Sequence, residues 1–250
     1  MTYKLSIVHA TIALTLFAIA NLANASEGRV YLMTNSTSAN VTLLHLVNSS
    51  STSQAFTGTL YAGDGTRLGN ADTPLHSGSV NSQGRLILSA ANLESLFSIT
   101  PWSGPAILVV KGSEQFDLMT KLTSPNGLIS NTNCVRQGGV HNVEGFDSDH
   151  MTYVRFINIG DETIRNIKGT LTDGNGNTIG QAGVTLLESL NPHEAVWIDR
   201  NKLSNLVNST WNDEASLVVE ANSAKDLRLL NLNFVDNKTY FNFSCYESGE

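Results

Sequence analysis

Apolar residues recur at every second position over many short runs of this chain. Leu44 and Leu46, Leu86 and Leu88, Val154 and Phe156, Val196 and Ile198, and Phe241 and Phe243 form such pairs, in runs bounded by Gly, Asn, Asp or Ser. A period of two places one set of side chains on one face of a sheet, so these runs predict half-buried antiparallel strands. One helical signal recurs among them. Ser89 and Asp199 are N-cap residues, and Leu93/Leu96 and Leu203/Leu206 follow at helical spacing, which predicts two short helices of about two turns each.

The runs come in two similar sets. "TLLHLVN" (Thr42–Asn48) aligns with "TYVRFIN" (Thr152–Asn158), and "GTLYAGDGTRLG" (Gly58–Gly69) with "GTLTDGNGNTIG" (Gly169–Gly180). "GRLILSAANLESL" (Gly84–Leu96) matches "EAVWIDRNKLSNL" (Glu194–Leu206), and "AILVV" (Ala106–Val110) matches "ASLVV" (Ala215–Val219). Asp117 falls opposite Asp226, and Cys134 opposite Cys245. A period of about 110 residues is that of a domain, since solenoid units run about 20 to 50. The expected fold is therefore all-β, with two tandem antiparallel β-sandwich domains of immunoglobulin or fibronectin size, each carrying one short helix. The boundaries are expected at 26–134 for the first copy, 135–150 for a linker and 151–250 for the second copy. In the repeated twelve-residue stretch, an Asp-Gly or Asn-Gly pair supplies the positive-φ residues of a tight hairpin, so the repetition preserves turn chemistry.

Residues 1–25 stand outside this pattern. Lys4, an apolar run from Leu5 to Ala20 and the triplet Ala23-Asn24-Ala25 make a cleavable secretory signal. The run is shorter than the roughly 20 residues of a membrane-spanning helix, so stable membrane insertion is not expected. Export places the protein in the periplasm, at the cell surface or outside the cell. The chain is acidic, with formal net charge −7, and no Lys/Arg cluster interleaves with aromatics, which argues against nucleic-acid binding.

"LVNSSS" (Leu46–Ser51), "GTLYAGDGTRLG" and "LISNTNC" (Leu128–Cys134) together resemble the immunoglobulin-like β-sandwich accessory modules of secreted bacterial proteins. The resemblance covers most of the first copy; the second departs from it in "FINIGD" (Phe156–Asp161) and in its last strand. It implies an extracellular accessory or adhesive module and no enzymatic activity.

The residues of reactive type give little to set against that. "DGNGN" (Asp173–Asn177) starts like a calcium loop, but Val184 holds the place of the bidentate Glu and Ala62 replaces Asp173 in the first copy. His45, His76, His141, His150 and His193 show no metal-ligand spacing, no Ser lies in a Gly-x-Ser-x-Gly elbow, and no pair of carboxylates is singled out. No metal, cofactor or catalytic residue is expected. Cys134 and Cys245, each at the end of its copy, suit an inter-domain disulfide in an exported chain, with two buried core thiols as the competing reading. Trp197 lies on the face opposite Val196 and Ile198. It is either part of an inter-domain interface or a platform for a ligand. The expected function is a non-catalytic interaction or structural module that binds a protein partner at the cell surface through sandwich loops or edges. A carbohydrate-binding protein, with polysaccharide as partner, is the alternative, and a hydrolase with a non-contiguous site a more distant one.

Overall fold

A computed structural model describes residues 26–132, 134–235, 239–242 and 244. The expected signal segment 1–25 and Cys245 lie outside the described residues. The first nine strands are β1 (Ser26–Leu32), β2 (Val41–Val47), β3 (Phe56–Ala62), β4 (Arg67–Pro74), β5 (Arg85–Ser89), β6 (Ala106–Gly112), β7 (Asp117–Thr123), β8 (Ile129–Asn131) and β9 (Gly139–Val143). They are followed by β10 (Met151–Asn158), β11 (Ile164–Thr172), β12 (Thr178–Leu190), β13 (Ala195–Asp199), β14 (Ala215–Glu220), β15 (Leu227–Val235) and β16 (Thr239–Asn242). Helix α1 (Ala90–Phe97) follows β5, and α2 (Arg200–Val207) follows β13.

Among the described residues the strand pairings are antiparallel and build four sheets, two per copy. Sheet order β1-β6-β3-β4 faces β5-β2-β7-β8 in the first copy, and β9-β14-β11-β12 faces β13-β10-β15-β16 in the second. The two orders are the same once each strand is matched to its repeat. The fold is thus a tandem pair of β-sandwiches, each with one short helix. Leu44, Leu46, Phe56, Leu60, Leu93 and Leu108 lie in the first core. Val154, Phe156, Ile167, Leu171, Leu203 and Leu217 lie in the second. The helix caps follow the sequence: Ser89 accepts from the Asn92 amide at 3.2 Å, and Asp199 from the Lys202 amide at 2.7 Å.

Two buried asparagines anchor the repeat. Asn48 donates through Nδ2 to the carbonyls of Thr52 and Val80, and Asn158 donates to those of Glu162 and Leu190. Each ties the loop after its own strand to the segment that leads into the neighbouring strand of its sheet, so the Asn that closes "LVN" and "FIN" satisfies backbone groups a turn would otherwise bury unpaired.

The structure departs from the sequence reading in two places. The segment 135–150 contributes β9, which pairs with β14 in the second sandwich as β1 pairs with β6 in the first; Val140 lies opposite Leu217 as Val30 lies opposite Leu108. Asp117 is also not the counterpart of Asp226. Asp117 pairs with Val47 and Arg228 with Ile157, so Arg228 holds the equivalent place, and Asp226 closes a short 3-10 turn just before it.

Candidate functional site

The two sandwiches meet face to face. Tyr31 on β1 and Ile107 on β6 point away from the first core and cluster with Ile157 on β10 and Leu230 and Leu232 on β15. Strand alternation dictates this: Val30 and Leu108 are spent on the first core, and Phe156 and Leu229 on the second, which leaves their neighbours on the outer faces.

A second contact lies at the end of the interface. The hairpin between β3 and β4 inserts its tip against the turn Asn191–Glu194: Ala195 donates its amide to the Gly63 carbonyl at 2.8 Å, and Asp64 bridges Glu194. The approach is close enough to require glycine, since a Cβ on Gly65 would lie 2.5 Å from the Pro192 carbonyl oxygen. His193 in the same turn packs its ring on Tyr61 at 4.1 Å between centroids and places Nε2 3.5 Å from the Asp161 carboxylate. Burial pushes the His193 imidazole below its usual value, with Arg29 adding to the shift and Asp161 and Glu27 opposing it.

Trp197 lies at this interface, on the outer face of β13. Its indole meets Tyr153 edge to face at 6.2 Å and lies 5.4 Å from the Arg155 guanidinium. Trp197 and Tyr153, with Tyr240, Met33 and Pro105, also line a cleft of about 340 Å³ between the copies. Arg155 is 0% exposed and its three guanidinium nitrogens make no hydrogen bond among the described residues. Desolvation lowers its pKa to about 10, with Tyr31 opposing, so it stays charged at neutral pH.

The outer faces that do not meet are those of β5-β2-β7-β8 in the first copy and β9-β14-β11-β12 in the second. On the former, Ile87 is 43% and Met119 44% exposed. These are the counterparts of Trp197 and Leu230, because Ile87 pairs with His45 as Trp197 does with Arg155, and Met119 with His45 as Leu230 does with Arg155. Val41 and Ile129 extend the open apolar area, and Arg85 and Lys121 bring positive charge to it, beside the carboxylate of Asp117 on the same face of β7. Exposed apolar side chains gathered on one sheet face mark a contact surface.

The other sequence candidates are placed as follows. The Asp173 carboxylate is occupied by its own turn, accepting from the amides of Asn175 and Asn177 and from Asn177 Nδ2, which holds its pKa below the usual carboxylate value. Among the described residues no group of three His, Cys, Asp or Glu is placed to hold a metal. His141 bonds Ser216 at 2.7 Å, and His150 lies 3.6 Å from Glu144, so the two histidines of segment 135–150 are not brought together. Trp102 and Trp211 are both buried. Cys134 lies just beyond β8, where its carbonyl accepts from Asn242 on β16, while Cys245 lies outside the described residues. Among the described residues no helix is long and apolar enough to cross a membrane.

No protein-family model and no curated protein matches the chain. Among solved structures, a glycosyl hydrolase family 2 member from Bacteroides cellulosilyticus DSM 14838 aligns at a TM-score of 0.20 and 9% identity. The alignment covers 87% of this chain and 28% of that one.

Proposed function

We propose that the chain is an exported, non-catalytic binding module that engages a protein partner through the open outer face of its first sandwich. The observation that supports this reading is the pair Ile87 and Met119, left exposed where their counterparts Trp197 and Leu230 are covered by the neighbouring copy. A sheet face of this kind gives apolar contact area at its centre and charge at its rim from Arg85 and Lys121, the usual layout of a protein contact. A photo-crosslinking residue placed at position 87, in the native host, is expected to label a discrete protein, while one at exposed Asn205 on α2, which lies on neither open sheet face, is not. Equal labelling at both positions, or none at either, would overturn the reading.

A second reading rests on the cleft between the copies. Trp197, Tyr153 and Tyr240 offer aromatic faces and phenolic hydroxyls in a space of about 340 Å³, which suits a sugar ring stacked on the indole. On that reading the protein is a carbohydrate-binding module, and Trp197→Ala abolishes retention on polysaccharide while Ile87→Lys does not.

A further inference from the structure

The chain contains one completed joint between its sandwiches and, left open, the two halves of another. In the completed joint the hairpin tip of the first copy, Gly63–Gly65, lies on the turn Asn191–Glu194 of the second. The repeat places a second hairpin tip at Gly174–Gly176 and a second receiving turn at Asn81–Gly84. The correspondence is close. Glu194 donates to the Asn191 carbonyl as Gly84 donates to that of Asn81, and Gln83 and His193 share positive φ values of 60° and 58°. Gly65 and Gly176 likewise share φ values of 85° and 83°. In the open pair, Asn81, Ser82 and Gln83 are exposed, as are Gly174, Asn175 and Gly176, and a Cβ built on Gly174 or Gly176 meets nothing within 4 Å.

The sheet faces beside these turns repeat the same state. Val109 of the first copy is buried, whereas its counterpart Val218 is 48% exposed; Leu230 of the second is buried, whereas Met119 is open. Both open halves carry charges of either sign, Arg85 (in the position of Ala195), Lys121 and Asp117 on the first and Asp173, Glu220 and the Lys168 paired with it on the second, so the match rests on the turns and the apolar faces.

We propose that the open face of the first sandwich receives the second sandwich of another copy of this chain, the hairpin Asp173–Asn177 seating on Asn81–Gly84 as the first hairpin seats on Asn191–Glu194. This rests on the reading of that face as a protein-binding surface and names its partner. The contact is head to tail, so each added chain offers a fresh face, and association continues as a row of sandwiches unless the rotation closes a ring.

Two singly substituted chains test it. Arg85→Cys and Gly174→Cys stand where Ala195 and Gly63 meet in the completed joint, and both sites tolerate the change, Arg85 being exposed and Gly174 having open space around it. Mixed and mildly oxidised, the two are expected to give a mixed disulfide dimer that neither chain forms alone, and the unsubstituted protein is expected to sediment with concentration-dependent species larger than a dimer. Met119→Asp is expected to weaken that association about tenfold, the effect of losing one buried apolar contact and desolvating a charge. A protein that stays monomeric at all concentrations overturns the proposal, as does an Arg85→Cys homodimer, which signals a back-to-back pair. In either case labelling of a different protein from position 87 would leave the binding function standing.

Discussion

Arg155 is a charge placed by strand alternation. It lies on β10 between Tyr153 and Ile157, on the face that turns from the second core, and the first copy then covers that face. Burial without a hydrogen-bond partner among the described residues disfavours the guanidinium, and the contact with Trp197 offsets only part of that cost. The sign of the pH effect follows. The folded value, about 10, lies below that of an ordinary guanidinium, so the unfolded chain binds more protons between those values. The cost is therefore complete below pH 10 and is relieved only as pH rises through that window. Arg155→Met keeps most of the volume and removes the charge. It is expected to raise the free energy of unfolding at pH 7 by about 1–3 kcal/mol in urea titration. A loss of that size would instead mean that the cation-π contact with Trp197 outweighs the desolvation of the charge. The site is occupied in the first copy by His45, whose Nε2 is also buried without a partner among the described residues, and burial together with Arg85 and Lys121 holds that imidazole below its usual value.

At the scale of the element, the two hairpins separate turn chemistry from docking. Gly65 and Gly176 need the same left-handed backbone, so alanine at either costs about 1 kcal/mol from that source. Only at Gly65 does the added methyl also meet the Pro192 carbonyl. Gly65→Ala is therefore expected to lower the thermal midpoint more than Gly176→Ala, and to speed proteolysis within Asn191–Glu194. Equal losses would mean the joint yields without cost. The hairpins were legible in the sequence because Asp-Gly and Asn-Gly specify a turn from within the chain. Their different fates were not, because docking depends on Pro192 and Glu194, well over a hundred residues away. Strand β9 was missed for a local reason. Its inward residues Val140 and Val143 lie three apart, because the pairing shifts register between Ala215 and Leu217 and Asn142 takes a φ of 56°, which erases the alternation that marks the other strands. Trp197 was placed on the outer face from its neighbours Val196 and Ile198 alone, but the cleft it lines draws Met33 and Pro105 from the other copy. The open contact face was unread because exposure of Ile87 and Met119 depends on which sheet the other sandwich covers.

At the scale of the whole molecule, the joint between the copies contains a histidine whose imidazole is held below its usual value by burial. His193 faces Tyr61, Asp161, Arg29 and Glu27, its Nδ1 is buried without a hydrogen-bond partner among the described residues, and desolvation is the largest influence on it. A base whose folded pKa is depressed contributes stability that is complete above its unfolded value, near 6.5, and is lost as pH falls through the folded one. Acid should therefore loosen the joint, with Asp161 opposing the effect because its carboxylate attracts the imidazolium. His45 is depressed as well, so the pH profile of the native chain alone does not isolate the contribution. The repeat supplies the control: the counterpart of His193 is Gln83, which holds the same backbone conformation without a titrating group. Urea midpoints of the native chain and His193→Gln, compared between pH 7.5 and pH 5, are expected to diverge, the native chain losing more stability on acidification. Parallel profiles would show that the His193 proton enters without disturbing the contact, and the seat of the first hairpin would then owe its hold to the Ala195–Gly63 hydrogen bond and the close approach of Gly65 to Pro192.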